Sequence, residues 1–145
     1  LTSYYNKQRS LYEQIRSVGS KEQVLIKQGY LDQLLVVLQE KEELLKEASV
    51  EENHIRETQE FLARHFGLQD FSIPQLKKAA PSRYEQDFLA LEEVVTRLVP
   101  ILEALEEQER GNEALLSDYL EQVKTPGQDQ ERVKRASKAY NPKLK

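Results

Sequence analysis

An all-α fold is predicted: an elongated antiparallel helical bundle or coiled coil of two long helices and one shorter helix, with a flexible C-terminal tail. Three observations predict it. Of the 145 residues 32% are charged, and only five Gly and five Pro occur, a composition that suits helices better than sheets or a disordered chain. Leucines and other aliphatic residues recur at spacings of three, four and seven over long stretches. Several Ser-x-x-Glu/Gln sequences stand where helices would begin. The same reading divides the chain into a bundle domain, 1–124, and a basic tail, 125–145.

From Leu1 to about Ala48 the stripe Leu11, Ile15, Val18, Leu25, Leu31, Leu34, Leu35, Leu38 and Leu45 predicts one long helix packing at a shallow angle. Gly19 and Gly29 each cost roughly 1 kcal/mol against Ala and are the places for a kink. Ser20-Lys-Glu-Gln23 has the form of a fresh cap after Gly19. Ser49-Val-Glu-Glu52 has it too, so a second helix starts there or continues the first. Its apolar face is Ile55, Phe61, Leu62 and Phe66, and Gly67 is placed to end it in a left-handed cap.

Leu68 to Pro81 reads as irregular, with Ser72-Ile-Pro-Gln75 capping one or two turns through Leu76 and Ala80. Ser82-Arg-Tyr-Glu85 then opens a long helix with a stripe of Phe88, Leu91, Val95, Leu98, Leu102, Leu105, Leu115, Leu116, Leu120 and Val123. Pro100 removes one of its backbone hydrogen bonds and predicts a bend. At 1.5 Å per residue the first and third helices would span roughly 60–70 Å and the second about 25 Å, leaving apolar surface that must dimerise or meet a partner.

Thr125-Pro-Gly-Gln-Asp-Gln130 ends the body with turn chemistry. Beyond it Val133, Ala136, Ala139 and Tyr140 share a helical face too small to hold a helix alone, so the tail is expected to be mobile until something binds. Charge separates the two parts. Residues 124–145 carry seven basic and two acidic groups, +5, and residues 1–123 carry 14 and 23, −9. An acidic body argues against nucleic acid as a partner.

The chemistry that composition excludes is broad. Without Cys there is no disulfide, thiolate–metal site or cysteine nucleophile. His54 and His65 are eleven residues apart, three helical turns or about 16 Å, too far to share a metal ion. They read as solvated or core-edge histidines. Carboxylate pairs such as Glu42/Glu43 and Glu106/Glu107 sit in Lys- and Glu-rich faces and read as solvated charge rather than acid–base pairs. The glycines stand alone, so no phosphate-cradling loop exists. No enzyme and no cofactor is expected. The longest aliphatic run is Leu34–Leu38, and no secretory signal opens the chain, so the expectation is a cytoplasmic protein without membrane insertion. Tyr4, Tyr5 and Tyr12 read as packing at a bundle end, whereas Tyr140, a lone aromatic in a basic tail, reads as an anchor for a partner groove.

Two stretches carry a resemblance. The run Val24-Leu-Ile-Lys-Gln-Gly-Tyr-Leu-Asp-Gln-Leu-Leu-Val-Val-Leu-Gln-Glu-Lys-Glu-Glu-Leu-Leu45 is similar to a segment of the FlgN family of flagellar export chaperones, with Gln28-Gly29-Tyr30 in place of the usual Gly-Asp. Glu109-Arg-Gly-Asn-Glu-Ala-Leu-Leu116, leading to Tyr119-Leu120, resembles that family's final long helix. Together the resemblance covers most of residues 10–124. It implies a cytoplasmic chaperone of type III export that binds the C-terminal helices of hook–filament junction proteins (FlgK/FlgL-like), keeps them unassembled and delivers them to the export gate. It further implies that Tyr140 docks on the gate protein FlhA. The substrate-contact residues expected are Leu115, Leu116, Tyr119, Leu120, Val123, Val133 and Ala136, for whose leucines ordinary core packing is an equally good reading.

A monomer or weak homodimer is expected of such a chaperone. The alternative is a structural coiled-coil scaffold that homo-oligomerises through its exposed apolar stripe.

Overall fold

The computed structural model of the chain describes residues 1–123, 134–136 and 138. Residues 1–123 form four α-helices and one 3-10 turn: α1 (Thr2–Gln28), α2 (Leu31–His65), α3 (Ile73–Ala79), the turn Ser82–Tyr84, and α4 (Glu85–Val123), and residues 134–136 and 138 are helical as well. The fold is all-α, as the stripe and composition predict, and its long helices form a bundle.

The division into helices differs from the expectation in one place. The stripe from Leu1 to Ala48 is not one helix, because α1 stops at Gly29, which has φ +74°. The N–H of Tyr30 donates to Leu25 O at 3.0 Å and that of Gly29 to Ile26 O at 3.1 Å, the pair of bonds that closes a helix with a left-handed residue. Tyr30 leads straight into α2. Conversely, α2 runs without interruption through Ala48 and Ser49. Ala48 and Glu51 are buried, so the Ser49–Glu52 sequence lies inside a packed helix rather than capping a new one. The long pair is therefore α2 with 35 residues and α4 with 39, and the shorter partner is α1 with 27. Their lengths are about 52, 58 and 40 Å.

Two local expectations are met, at Gly67 and Ser72. Gly67, at φ +68°, ends α2, with the Leu68 N–H donating to Ala63 O at 2.7 Å. Ser72 caps α3, its Oγ accepting from the Gln75 N–H at 3.5 Å. Ser82 does not cap the long helix as its sequence predicts: it lies inside the 3-10 turn, which has no side-chain cap, and regular α-helix begins three residues later at Glu85. Pro100 lies inside α4 without ending it. It is exposed, and its missing N–H removes one hydrogen bond from the helix there. α1 also runs on through Gly19. A Cβ there would collide with the Gln108 carboxamide of α4, and the glycine is the notch that lets this side chain cross.

α1 lies against both α2 and α4. Gln108 reaches the Arg16 carbonyl, Asn112 the Gly19 carbonyl, and Tyr119 packs on Gly29, so α4 runs parallel to α1 and α2 runs opposite to both. Two apolar clusters result. One, toward the start of α1, holds Leu11, Tyr12, Ile15, Ala48, Leu98 and Leu105. The other, at the Gly29 end, holds Ile26, Leu31, Leu34, Leu38, Leu116 and Ala136.

Candidate helix-binding groove

Between the two clusters lies a polar layer to which every long helix contributes. Lys41 of α2 is 2% exposed and places its Nζ 2.7 Å from Glu109 Oε1 of α4 and 3.1 Å from Glu22 Oε1 of α1. Asn112 Nδ2 donates to the Gly19 carbonyl at 2.9 Å and to Glu22 Oε2 at 3.2 Å. Glu22 has no exposed surface. Burial pushes its carboxyl above the ordinary range and the nearby Glu109 charge adds to this, while Lys41 and Asn112 pull the other way. Such a layer adds little net stability, but it fixes which turn of each helix faces which, because any slip leaves a charge unpaired in the core.

Beyond the layer, at the Gly29 end, the structure brings together most of the residues singled out for substrate contact. Leu116 is fully buried. Leu115, Tyr119 and Leu120 are half-buried and pack against the same cluster. A Cβ on Gly29 would sit 3.2 Å from the Tyr119 ring, so this tyrosine closes the end of the groove against the α1–α2 turn. Val123 is the last residue of α4. Val133 and Tyr140 lie outside the described residues.

Ala136 is the informative residue of the tail. It is 1% exposed and belongs to the cluster of Ile26, Leu31, Leu34, Leu38 and Leu116. Its helical neighbours Lys134, Arg135 and Lys138 are exposed. A short amphipathic segment with its small apolar residue inward and its basic residues outward thus occupies the leucine-lined end of the bundle.

The opposite wall of this site escapes a sequence reading focused on α4. Ile26, Leu31, Leu34, Leu35 and Leu38 line it from α1 and α2. The signal that would have found them is Gly29: a turn there folds one half of the leucine stripe against the other. The polar layer had a signal too, since Lys41 occupies the stripe position between Leu38 and Leu45, and Asn112 that between Leu105 and Leu116.

At the far end the aromatic residues pack as a bundle terminus. Tyr12 is buried, its hydroxyl accepting from Gln8 Nε2 at 2.6 Å. The half-buried Tyr5 accepts from Gln59 Nε2 at 2.6 Å. His54 rests beside the Tyr4 ring and 3.6 Å from Glu51, and His65 stacks on Phe61, so neither histidine faces the other. Among the described residues no group of three or more His, Asp or Glu is placed to hold a metal ion, and no helix is long and apolar enough to cross a membrane.

The family model described as FlgN protein matches residues 1–143. No curated protein and no solved structure matches the chain. The match spans nearly the whole chain, which therefore belongs to the FlgN family and, in general terms, is a flagellar export chaperone that binds hook-associated proteins.

Proposed function

From membership of the FlgN family as premise, we propose that this chain is a cytoplasmic chaperone of type III export. It takes the C-terminal helices of FlgK/FlgL-like junction proteins onto the leucines at the Gly29 end of the bundle. Held there, those helices cannot assemble prematurely, and the complex is delivered to the export gate, where Tyr140 engages FlhA. The observation that carries this reading is the burial of Ala136: the bundle end already accepts one amphipathic helical segment among Leu34, Leu38 and Leu116. A substrate helix offering small and branched apolar residues would make the same contacts over a longer run. Leu115, Tyr119 and Leu120, half-buried beside Ala136, would form its rim, and Leu116 its floor. Exchange of one helix for another needs no nucleotide and no covalent step.

Light scattering on a gel-filtration column, with and without a C-terminal FlgK or FlgL fragment, tests this. The expected result is a heteromeric peak of defined mass. Leu120→Asp, at the half-buried rim, should abolish that peak while leaving the thermal unfolding curve in place. Tyr140→Ala should keep the peak and lose FlhA binding. A stable homo-oligomer indifferent to both fragments would instead establish the scaffold reading.

A further inference from the structure

The leucine-lined end of the bundle is covered by a segment of the chain itself. Ala136 is 1% exposed among Ile26, Leu31, Leu34, Leu38 and Leu116, and residues 134–136 and 138 are helical. A helix this short does not persist alone in water, so its form comes from the bundle it lies on. The hold is slight. Of the residues described there Ala136 is buried, a single methyl group, while Lys134, Arg135 and Lys138 are exposed. A helix that presents branched apolar side chains to the same leucines buries far more apolar area and gains in proportion.

Charge and tethering keep this weak contact made. Residues 124–145 carry +5 and residues 1–123 carry −9. On α4, Glu106, Glu109 and Glu113 stand at helical spacing between Leu102 and Leu116, an acidic edge for a basic segment. Residues 124–133 tether the segment to the end of α4, beside the leucines that it covers. A short tether holds its end at a roughly millimolar effective concentration, enough for a contact that would be negligible between separate molecules.

We propose that the segment around Ala136 is a built-in competitor, which occupies the site of the cargo helix in the empty chaperone and is displaced when cargo binds. The proposal rests on the reading above that cargo seats among these leucines. Two helices cannot pack on Leu34, Leu38 and Leu116 at once. The apparent affinity for any cargo helix is therefore its intrinsic affinity reduced by the fraction of chains whose segment is undocked. Such a device covers the leucines while no cargo is present, and it turns away helices that offer them too little apolar surface.

Two substitutions in the full chain test this. Ala136→Asp puts a charge into the cluster and should free the segment; Ala136→Lys, of opposite sign, should do the same, which an effect of charge on the cargo would not. Because the chain has no Cys, Lys138→Cys takes a single nitroxide at an exposed position. The label should broaden the methyl signals of Leu34, Leu38 and Leu116, and the broadening should vanish with Ala136→Asp or on saturation with a C-terminal FlgK or FlgL fragment. Both Ala136 variants should bind that fragment about threefold or more tightly than wild type. Absence of broadening in the otherwise wild-type chain would overturn the proposal, as would broadening that persists in the fragment complex. Equal or weaker fragment binding by both variants would overturn this proposal alone, whereas a fragment that binds neither wild type nor variants would overturn the cargo reading and this proposal with it.

Discussion

The Nζ of Lys41 is shared between Glu22 and Glu109. Glu22 has no exposed surface, and burial, with the nearby Glu109 charge adding to it, holds its carboxyl above the ordinary 4.5. The sign of the consequence follows. A carboxyl raised in the folded state contributes its stability below the unfolded value and loses it as pH rises through the folded value. Glu51 has the opposite sign: its hydrogen bond from Lys7 holds the carboxyl below 4.5, so its contribution is present above that value and is lost on acidification. Urea midpoints measured from pH ~4 to ~7 should separate the two. Glu22→Gln is expected to remove a loss of stability toward neutral pH, and Glu51→Gln a loss toward acid. Parallel profiles for wild type and both variants would mean that neither carboxyl is shifted by its surroundings.

At the scale of the element, the turn at Gly29 decides the architecture, because it converts one leucine stripe into a hairpin with two apposed faces. Any L-residue there meets two penalties, the left-handed backbone at φ +74° and the Tyr119 ring 3.2 Å from its Cβ. Gly29→Ala should therefore destabilise by about 1–2 kcal/mol. Gly111 is the control: it lies within α4 with nothing within 4 Å of a Cβ, so Gly111→Ala should stabilise by about 0.5–1 kcal/mol. Chemical denaturation of both variants checks the pair of signs. This contrast also explains what could be read in advance. Ser72 as a cap, Gly67 as a terminator and the leucine periodicity rest on residues close in sequence, and all were legible. The choice between a kink and a full turn at Gly29 was not read, although Leu31 and Leu34 lie six and nine residues after Leu25, so that the stripe changes face across the glycine. Tyr119, ninety residues away, packs onto the turn, and no local pattern records that contact. At Ser49, where a new start and a continuation were both open, burial of Ala48 and Glu51 against neighbouring helices outweighs the cap-like sequence. On the site, Leu115, Leu116, Tyr119 and Leu120 were legible as one face of one helix, whereas the facing wall needed the hairpin first.

Across the whole molecule, α1 is the helix on which the others depend. It buries Leu11, Tyr12, Ile15, Val18, Gly19, Glu22 and Ile26, close to one residue per turn, and it lies against both α2 and α4. By contrast α3 has seven residues, of which Leu76 is buried. Local opening should follow that order, because the free energy of opening tracks the apolar contact that must be broken. Amide hydrogen exchange is expected to be slowest in the centre of α1 and fastest in α3. The groove adds a second pattern. A FlgK or FlgL helix seated among Leu34, Leu38 and Leu116 would protect amides of α2 and α4 at the Gly29 end, beyond the Lys41 layer. It would leave Leu91–Leu98 at the other end of α4 unchanged, since no contact there is altered. Protection spread evenly along α4 would mean that binding tightens the bundle as a whole, and protection confined to Leu91–Leu98 would place the substrate at the wrong end. Only added protection between Asn112 and Val123, matched in α2 between Leu31 and Leu38, agrees with a helix lying where Ala136 lies.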